Sequence, residues 1–291
     1  MTVANCGDRR SAFASIILPM SPATSEPVIA FDDVRLGFDE GDILRGFSFR
    51  VVPRETKVII GESGSGKTLA LKLAAGLLQP DEGRVTVLGQ DLGSMTETNL
   101  LHFRRQIGFV FQEGALFDSL SVADNVAYLL NEDGVDPDEI DGRVREALRF
   151  VEMEHAIDKL PDELSGGMRR RVSIARALIS RPPIVLYDSP TAGLDPLTSQ
   201  TIITLIMRLR DLQGVTSLLV TQRLQDAFGL ANYRFDAEQN RVVPDPAKSS
   251  AARDGHAMTN FLVLHNGVAY FEGKPESLLE SPDAYLKQFL I

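Results

Sequence analysis

The stretch Gly61-Glu62-Ser63-Gly64-Ser65-Gly66-Lys67-Thr68 limits what this 291-residue chain can fold into more than any other. It fits the G-x-x-x-x-G-K-[ST] pattern. An apolar, β-branched run at 57–60 precedes it and a helical run at 69–78 follows, which is the strand–loop–helix setting that a phosphate-binding loop needs. Glycines let backbone N–H groups converge on phosphate oxygens, and the helix N-terminus adds a favourable dipole. In this reading Lys67 reaches the β and γ phosphates of a nucleotide, the Thr68 hydroxyl coordinates Mg²⁺, and Leu69 also counts among the nucleotide-binding residues. A chance match somewhere in the chain has odds of roughly one in a hundred.

The rest of the pattern is α/β. Residues 57–60, 107–111, 184–187 and 217–220 read as strands separated by helical stretches, which points to a parallel sheet. Ile184-Val185-Leu186-Tyr187 shows no polar alternation, as expected of a strand covered on both faces. Residues 136–159 read as one helix, with Asp136 as cap, Pro137 in the first turn and Glu139 completing a capping box. Val144, Leu148 and Val151 mark its apolar stripe. This helix belongs to a helical subdomain at about 114–164 that interrupts the sheet domain. Residues 236–260 hold Pro244, Pro246, Ser249, Ser250 and Gly255 and read as a flexible insertion. A strand pair at 261–265 and 268–271 then turns across Asn266-Gly267, a strong hairpin signal.

Residues 1–27 carry Pro19, Pro22 and Pro27 and read as a flexible leader, with Met20 an alternative start. Arg9 and Arg10 precede an apolar stretch at 12–18, which is too short for a convincing signal peptide. A formal net charge of −10 argues against a nucleic-acid surface, because phosphate backbones call for clustered Lys and Arg. The single cysteine, Cys6, rules out an intrachain disulfide. No apolar run approaches the ~20 residues needed to span a bilayer as a helix.

Leu164-Ser165-Gly166-Gly167-Met168 narrows the choice among phosphate-loop proteins. Ser165 and the paired glycines lead into a basic helix at 169–179, a second helix N-terminus suited to an anion. One chain needs one such site to hold a nucleotide, so the second makes sense facing the γ-phosphate of another chain. Arg169 to Arg171 read as a solvated helix face.

With these motifs in order, the chain from Val28 to its end resembles the ABC transporter ATPase family. Leu164–Met168 is similar to the family signature, with Met168 in place of the usual Gln. Gln112 stands at the Q-loop position, Ile184 to Asp188 resembles Walker B, and Ala192-Gly193-Leu194-Asp195 resembles the D-loop. Phe38 stands where an aromatic ring stacks on adenine. The resemblance implies one ABC domain over 28–291, with an antiparallel β subdomain beside the core. It also implies ATP and Mg²⁺ as cofactors, with Thr68, Gln112 and Asp188 around the metal. It further implies a head-to-tail dimer with a second copy or a related ATPase, docked on a membrane permease at the cytoplasmic face of the cell membrane. The stretch Leu164 to Arg171, with Val110-Phe111-Gln112 and 114–120, looks like the ATPases of Mla/Mce-type lipid transporters. That would add an Mce-type lipid-binding subunit and phospholipid as cargo.

Two positions depart from the family. The residue after Asp188, normally the Glu that polarises water, is Ser189. The His after the next strand is replaced by Gln222. Both departures fall on hydrolysis and none on binding, so the expectation is intact ATP binding with slow turnover. Asp195 is the candidate for a substitute carboxylate. The rival readings are a turnover-deficient partner in a heterodimer and a non-transport regulator or scaffold.

Overall fold

The computed structural model describes residues 26–39, 41–245 and 258–290. The expected leader therefore lies outside the described residues except for its last two.

The chain opens with an antiparallel pair, β1 (Ile29–Phe38) and β2 (Gly41–Val51). Strand β3 (Glu55–Ile60) runs into the phosphate loop and helix α1 (Lys67–Ala74). Strands β4 (Glu82–Val87) and β5 (Gln90–Asp91) then complete a four-stranded sheet in the order β2-β1-β4-β5. This is the antiparallel subdomain. Its sandwich face is aromatic, with Phe31, Phe47 and Phe49 packed ring against ring at 4.6–5.9 Å.

Helix α2 (Glu97–Arg104) leads to β6 (Ile107–Val110). Helices α3 (Val122–Glu132), α4 (Pro137–Phe150) and α5 (Gly166–Leu178) follow as the helical subdomain. The sheet resumes with β7 (Ile184–Asp188), α6 (Pro196–Gln213), β8 (Thr216–Thr221) and α7 (Leu224–Asn232). A hairpin of β9 (Tyr233–Asp236) and β10 (Arg241–Pro244) precedes β11 (Met258–His265) and β12 (Val268–Gly273). Helices α8 (Pro275–Leu279) and α9 (Ala284–Phe289) complete the described elements.

The core sheet has the order β12-β11-β3-β8-β7-β6, parallel throughout except for the antiparallel pair β11–β12. Residues of β3, β7 and β8 are buried without exception, and they alternate between two separate cores. Val58, Ile60, Val185, Tyr187 and Leu219 face α3 to α7, while Ile59, Ile184, Leu186, Leu218 and Val220 face α1 and the antiparallel sheet. Two covered faces account for the unbroken apolar runs. Crossover helices then place the loops after β3, β6, β7 and β8 at one end of the sheet.

Several expectations need correction. The expected 136–159 helix stops at Phe150, because Glu152 turns the chain into the left-handed region (φ 61°), and a short 3-10 turn at Glu154–Ala156 follows. The predicted capping box is absent: Asp136 accepts from Asp138 N, and Glu139 instead pairs with Arg143 one turn on. The apolar stripe is as expected, with Val144, Leu148 and Val151 buried. The helix after the phosphate loop is shorter than 69–78 and begins at Lys67, ending before Gly76 with its φ of 63°. The strand expected to reach 111 ends at Val110.

The supposed insertion is partly regular structure. Hairpin β9–β10 occupies 233–244 and β11 starts at Met258; the remainder of 236–260 lies outside the described residues. The hairpin is anchored on α6. Arg210 donates to the Tyr233 carbonyl at 2.8 Å, Phe235 N donates to Asp211, and the Phe235 ring is buried under the Arg208 guanidinium.

Candidate nucleotide-binding site

Sequence folds the phosphate loop locally. Gly66 caps α1 at φ 102°, and a Cβ there would meet Leu44 Cδ2 at 2.9 Å, so only glycine turns the chain this tightly against β2. Lys67 then lies under the loop, 5% exposed, with Nζ donating to Gly61 O (2.9 Å) and Glu62 O (2.6 Å). Burial pushes its pKa below the ordinary lysine value, while the charges of Asp188 and Glu62 oppose that shift. An anion brought into the loop would reverse the penalty, because it supplies the counter-charge that desolvation removed.

One residue on, the Thr68 hydroxyl donates to Asp188 Oδ1 at 3.2 Å, which joins α1 to the end of β7. A hydroxyl and a carboxylate side by side are oxygen donors of the kind Mg²⁺ takes when phosphate and water fill its other positions. Asp188 is buried and also accepts from Ser189 Oγ at 3.3 Å. Ser189 itself sits in the left-handed region (φ 45°), which is strained for a residue with a Cβ, and its N–H is tied to Val220 O at 3.0 Å.

The other sequence-predicted residues fall as follows. Gln112 is exposed at the tip of a tight turn closed by Gly114 N donating to Phe111 O (3.0 Å). Gln222 is exposed just beyond β8. Phe38 ends β1 with 55% of its surface exposed, so its ring is no part of the core. Ser165 caps α5, its hydroxyl accepting from Met168 N at 3.3 Å, and together with Gly166 it is open to solvent. Asp195 is exposed and caps α6 by accepting from Thr198 N (3.0 Å); hydrogen bonding from Thr198, its side chain first and its backbone second, holds the carboxyl below the usual range. Glu62, Ser63 and Gly64 line an open cleft bounded on the far side by Asp42, Arg45 and His265.

Arg170 contradicts the reading of 169–171 as a solvated face. It is 5% exposed, and one guanidinium nitrogen donates to both Phe111 O (3.0 Å) and Ser189 O (3.4 Å). Its spacing to Ile174 and Ala177 put it on the buried stripe of α5, a signal that the charge run concealed. Arg223 was also missed. It donates to Ser199 Oγ (2.8 Å) and reaches the carbonyls of Thr191 and Leu194, while the Thr191 hydroxyl bonds the buried Asp226 carboxylate. Burial raises the Asp226 pKa against the opposing effects of Thr191 and Arg223. Together they tie the segment after β8 to the turn before α6.

A family model described as "ABC transporter" matches residues 44–192 of this chain, from β2 through the signature to the turn after β7. The chain belongs to the ABC transporter family.

This cassette is 41% identical over 214 residues to the methionine import ATP-binding protein MetN of Bifidobacterium longum, covering 74% of the chain and 50% of that protein. It thus spans half the length of that relative. It is 32% identical to the intermembrane phospholipid transport system ATP-binding protein MlaF of Haemophilus influenzae, with 88% of each chain covered. Among solved structures, it is similar to the ATP-binding cassette MJ0796 in a dimeric post-hydrolysis state bound to ADP and Pi. The TM-score is 0.69 and the identity 28%, over 84% of this chain and 98% of that one. The α/β cassette fold is therefore established. Among the described residues no helix is long and apolar enough to cross a membrane.

Proposed function

We propose that this cassette binds and hydrolyses ATP as the energising subunit of a phospholipid transporter, docked on a separate membrane permease at the cytoplasmic face. The observation that carries the nucleotide reading is the phosphate loop itself, with Lys67 held beneath it and Thr68 paired to Asp188. Lys67 would leave its two loop carbonyls for the β and γ phosphates. Bound between Thr68 and Asp188, Mg²⁺ would neutralise charge on the β and γ oxygens. Phe38, presented on the surface, offers a ring face to adenine. Phospholipid cargo and an Mce-type partner are favoured by the Leu164 to Arg171 stretch and by a match covering 88% of the MlaF relative. ATP-driven phospholipid exchange between vesicles, with the permease reconstituted, tests the cargo; exchange independent of ATP would refute it.

Ser165 and Gly166 present a solvent-facing helix N-terminus with no phosphate loop of its own to serve. In a head-to-tail pair each signature would close over the nucleotide on the other copy's Lys67. ATP with Mg²⁺ is therefore expected to shift the chain to a dimer in sedimentation. Ser165→Arg places a long cation where phosphate belongs and is expected to abolish that shift while leaving monomer binding of ATP intact. Equal dimerisation by the variant would sink the head-to-tail arrangement. Ser189 and Gln222 favour a second reading, an ATP-holding partner with little turnover of its own.

A further inference from the structure

We propose that Glu113 is the carboxylate that takes the proton from the attacking water at this cassette's ATP site. The inference rests on the reading that the chain hydrolyses ATP, and it names the base for that reaction.

The residue after Asp188 is a serine, whose hydroxyl is no base near neutral pH and already donates to Asp188. A carboxylate must come from elsewhere, and most of the nearby ones are committed. Asp188 is paired with Thr68 at the proposed metal position. Asp195 caps α6 through Thr198 N. Asp226 is buried and occupied by Thr191 and Arg223. Glu62 accepts from the Tyr285 hydroxyl of α9 at 3.3 Å.

Glu113 is different. It is exposed and has no hydrogen bond or ion pair within 4 Å to any described residue. It shares with Gln112 the tip of the turn closed by Gly114 N and Phe111 O. That turn is anchored at its first residue, because Arg170 donates to Phe111 O and Ser189 O with a single nitrogen. The guanidinium thus links the base of the turn that carries Glu113 to the backbone of Ser189. The charges of Asp188 and Glu113 both act on Arg170 and counter its desolvation. A free carboxylate on a turn tied through a buried cation to Ser189 is the arrangement a relocated base requires.

The reaction then balances simply. Water oxygen bonds to the γ-phosphorus, and the bond from that phosphorus to the β–γ bridging oxygen breaks with its electron pair leaving on ADP. Glu113 accepts the water proton and returns it to solvent, to which it is open. The products are ADP and inorganic phosphate. Arg170 acts as a positioning residue for the turn.

Single-turnover hydrolysis of radiolabelled ATP with Mg²⁺ by the full chain provides the test, alongside fluorescent-ATP titration and thermal melting. Glu113→Gln is expected to slow the chemical step by about 100-fold with unchanged nucleotide affinity and melting. Glu113→Asp is expected to keep part of the rate. Adding Ser189→Glu to Glu113→Gln is expected to restore turnover, because a carboxylate then stands at the adjoining position. A Glu113→Gln rate within threefold of wild type overturns the proposal, as does a loss caused by Asp195→Asn instead. A wild type that binds ATP through Lys67 but releases no phosphate also overturns it, leaving the binding reading standing. A chain that binds no ATP overturns the functional reading itself.

Discussion

Lys67→Ala is expected to weaken ATP binding by on the order of 10²–10³-fold, the loss of one or two charge-assisted hydrogen bonds to phosphate. The side chain is buried and its ammonium is held by Gly61 O and Glu62 O, so the loop is already shaped around it. Removing it leaves those carbonyls facing a phosphate without the intervening cation, and repulsion adds to the lost attraction. Lys67→Arg is expected to fail as well, because a planar fork does not fit a space built for a compact ammonium. Titration with a fluorescent ATP analogue measures both, and melting curves separate binding from folding. Equal affinity in wild type and Lys67→Ala would remove the loop from the nucleotide site.

The double variant Ser189→Glu, Gln222→His is expected to raise the single-turnover hydrolysis rate at least about tenfold without tightening ATP binding. A carboxylate at 189 would orient and partly deprotonate water in the transition state, and an imidazole at 222 would contact the γ-phosphate as charge develops. The two changes act on one reaction, so the double effect is expected to differ from the product of the singles. Geometry adds a condition: position 189 is held at φ 45° by Val220 O, and a longer side chain must leave from that strained backbone. With Glu at 189, the rate is also expected to lose its dependence on Glu113. A wild type already as fast as the double variant would show that Ser189 and Gln222 impose no penalty.

How much of this was legible in the residues depends on whether the signal is contiguous. Glycine-rich loops at helix N-termini carry their conformation in adjacent residues, so both the loop at 61–68 and the cap at Ser165 were readable. Strands buried on both faces were readable for the same reason, from unbroken apolar runs such as Ile184 to Tyr187. Strand β1 was not, because register shifts between Phe31 and Gly37 break its alternation. The end of α4 hangs on one left-handed residue, Glu152, that no propensity marks. Hairpin β9–β10 escaped because its hold on α6 is a set of distant contacts from Arg210, Asp211 and Arg208. Arg170 and Arg223 were hidden as charges in polar stretches, since their partners are backbone carbonyls brought close only by the fold.

The position of β3 has a consequence for how the protein is made. Its neighbours in the sheet are β8, through pairs such as Thr56 with Ser217, and β11, where Glu55 meets Met258. At ribosomal speeds the strand leaves the exit tunnel roughly 10–40 s before β11 does. Until then its apolar residues and both hydrogen-bonding edges lack their native cover, an invitation to wrong pairing. Nucleotide offers no early rescue. Gly61 packs so closely on Leu264 O that a Cβ would lie 2.4 Å from it, so the loop is expected to reach its folded packing only once β11 is seated. Ligand stabilisation of a nascent chain of this cassette is therefore expected only after β11 has been made and has paired with β3.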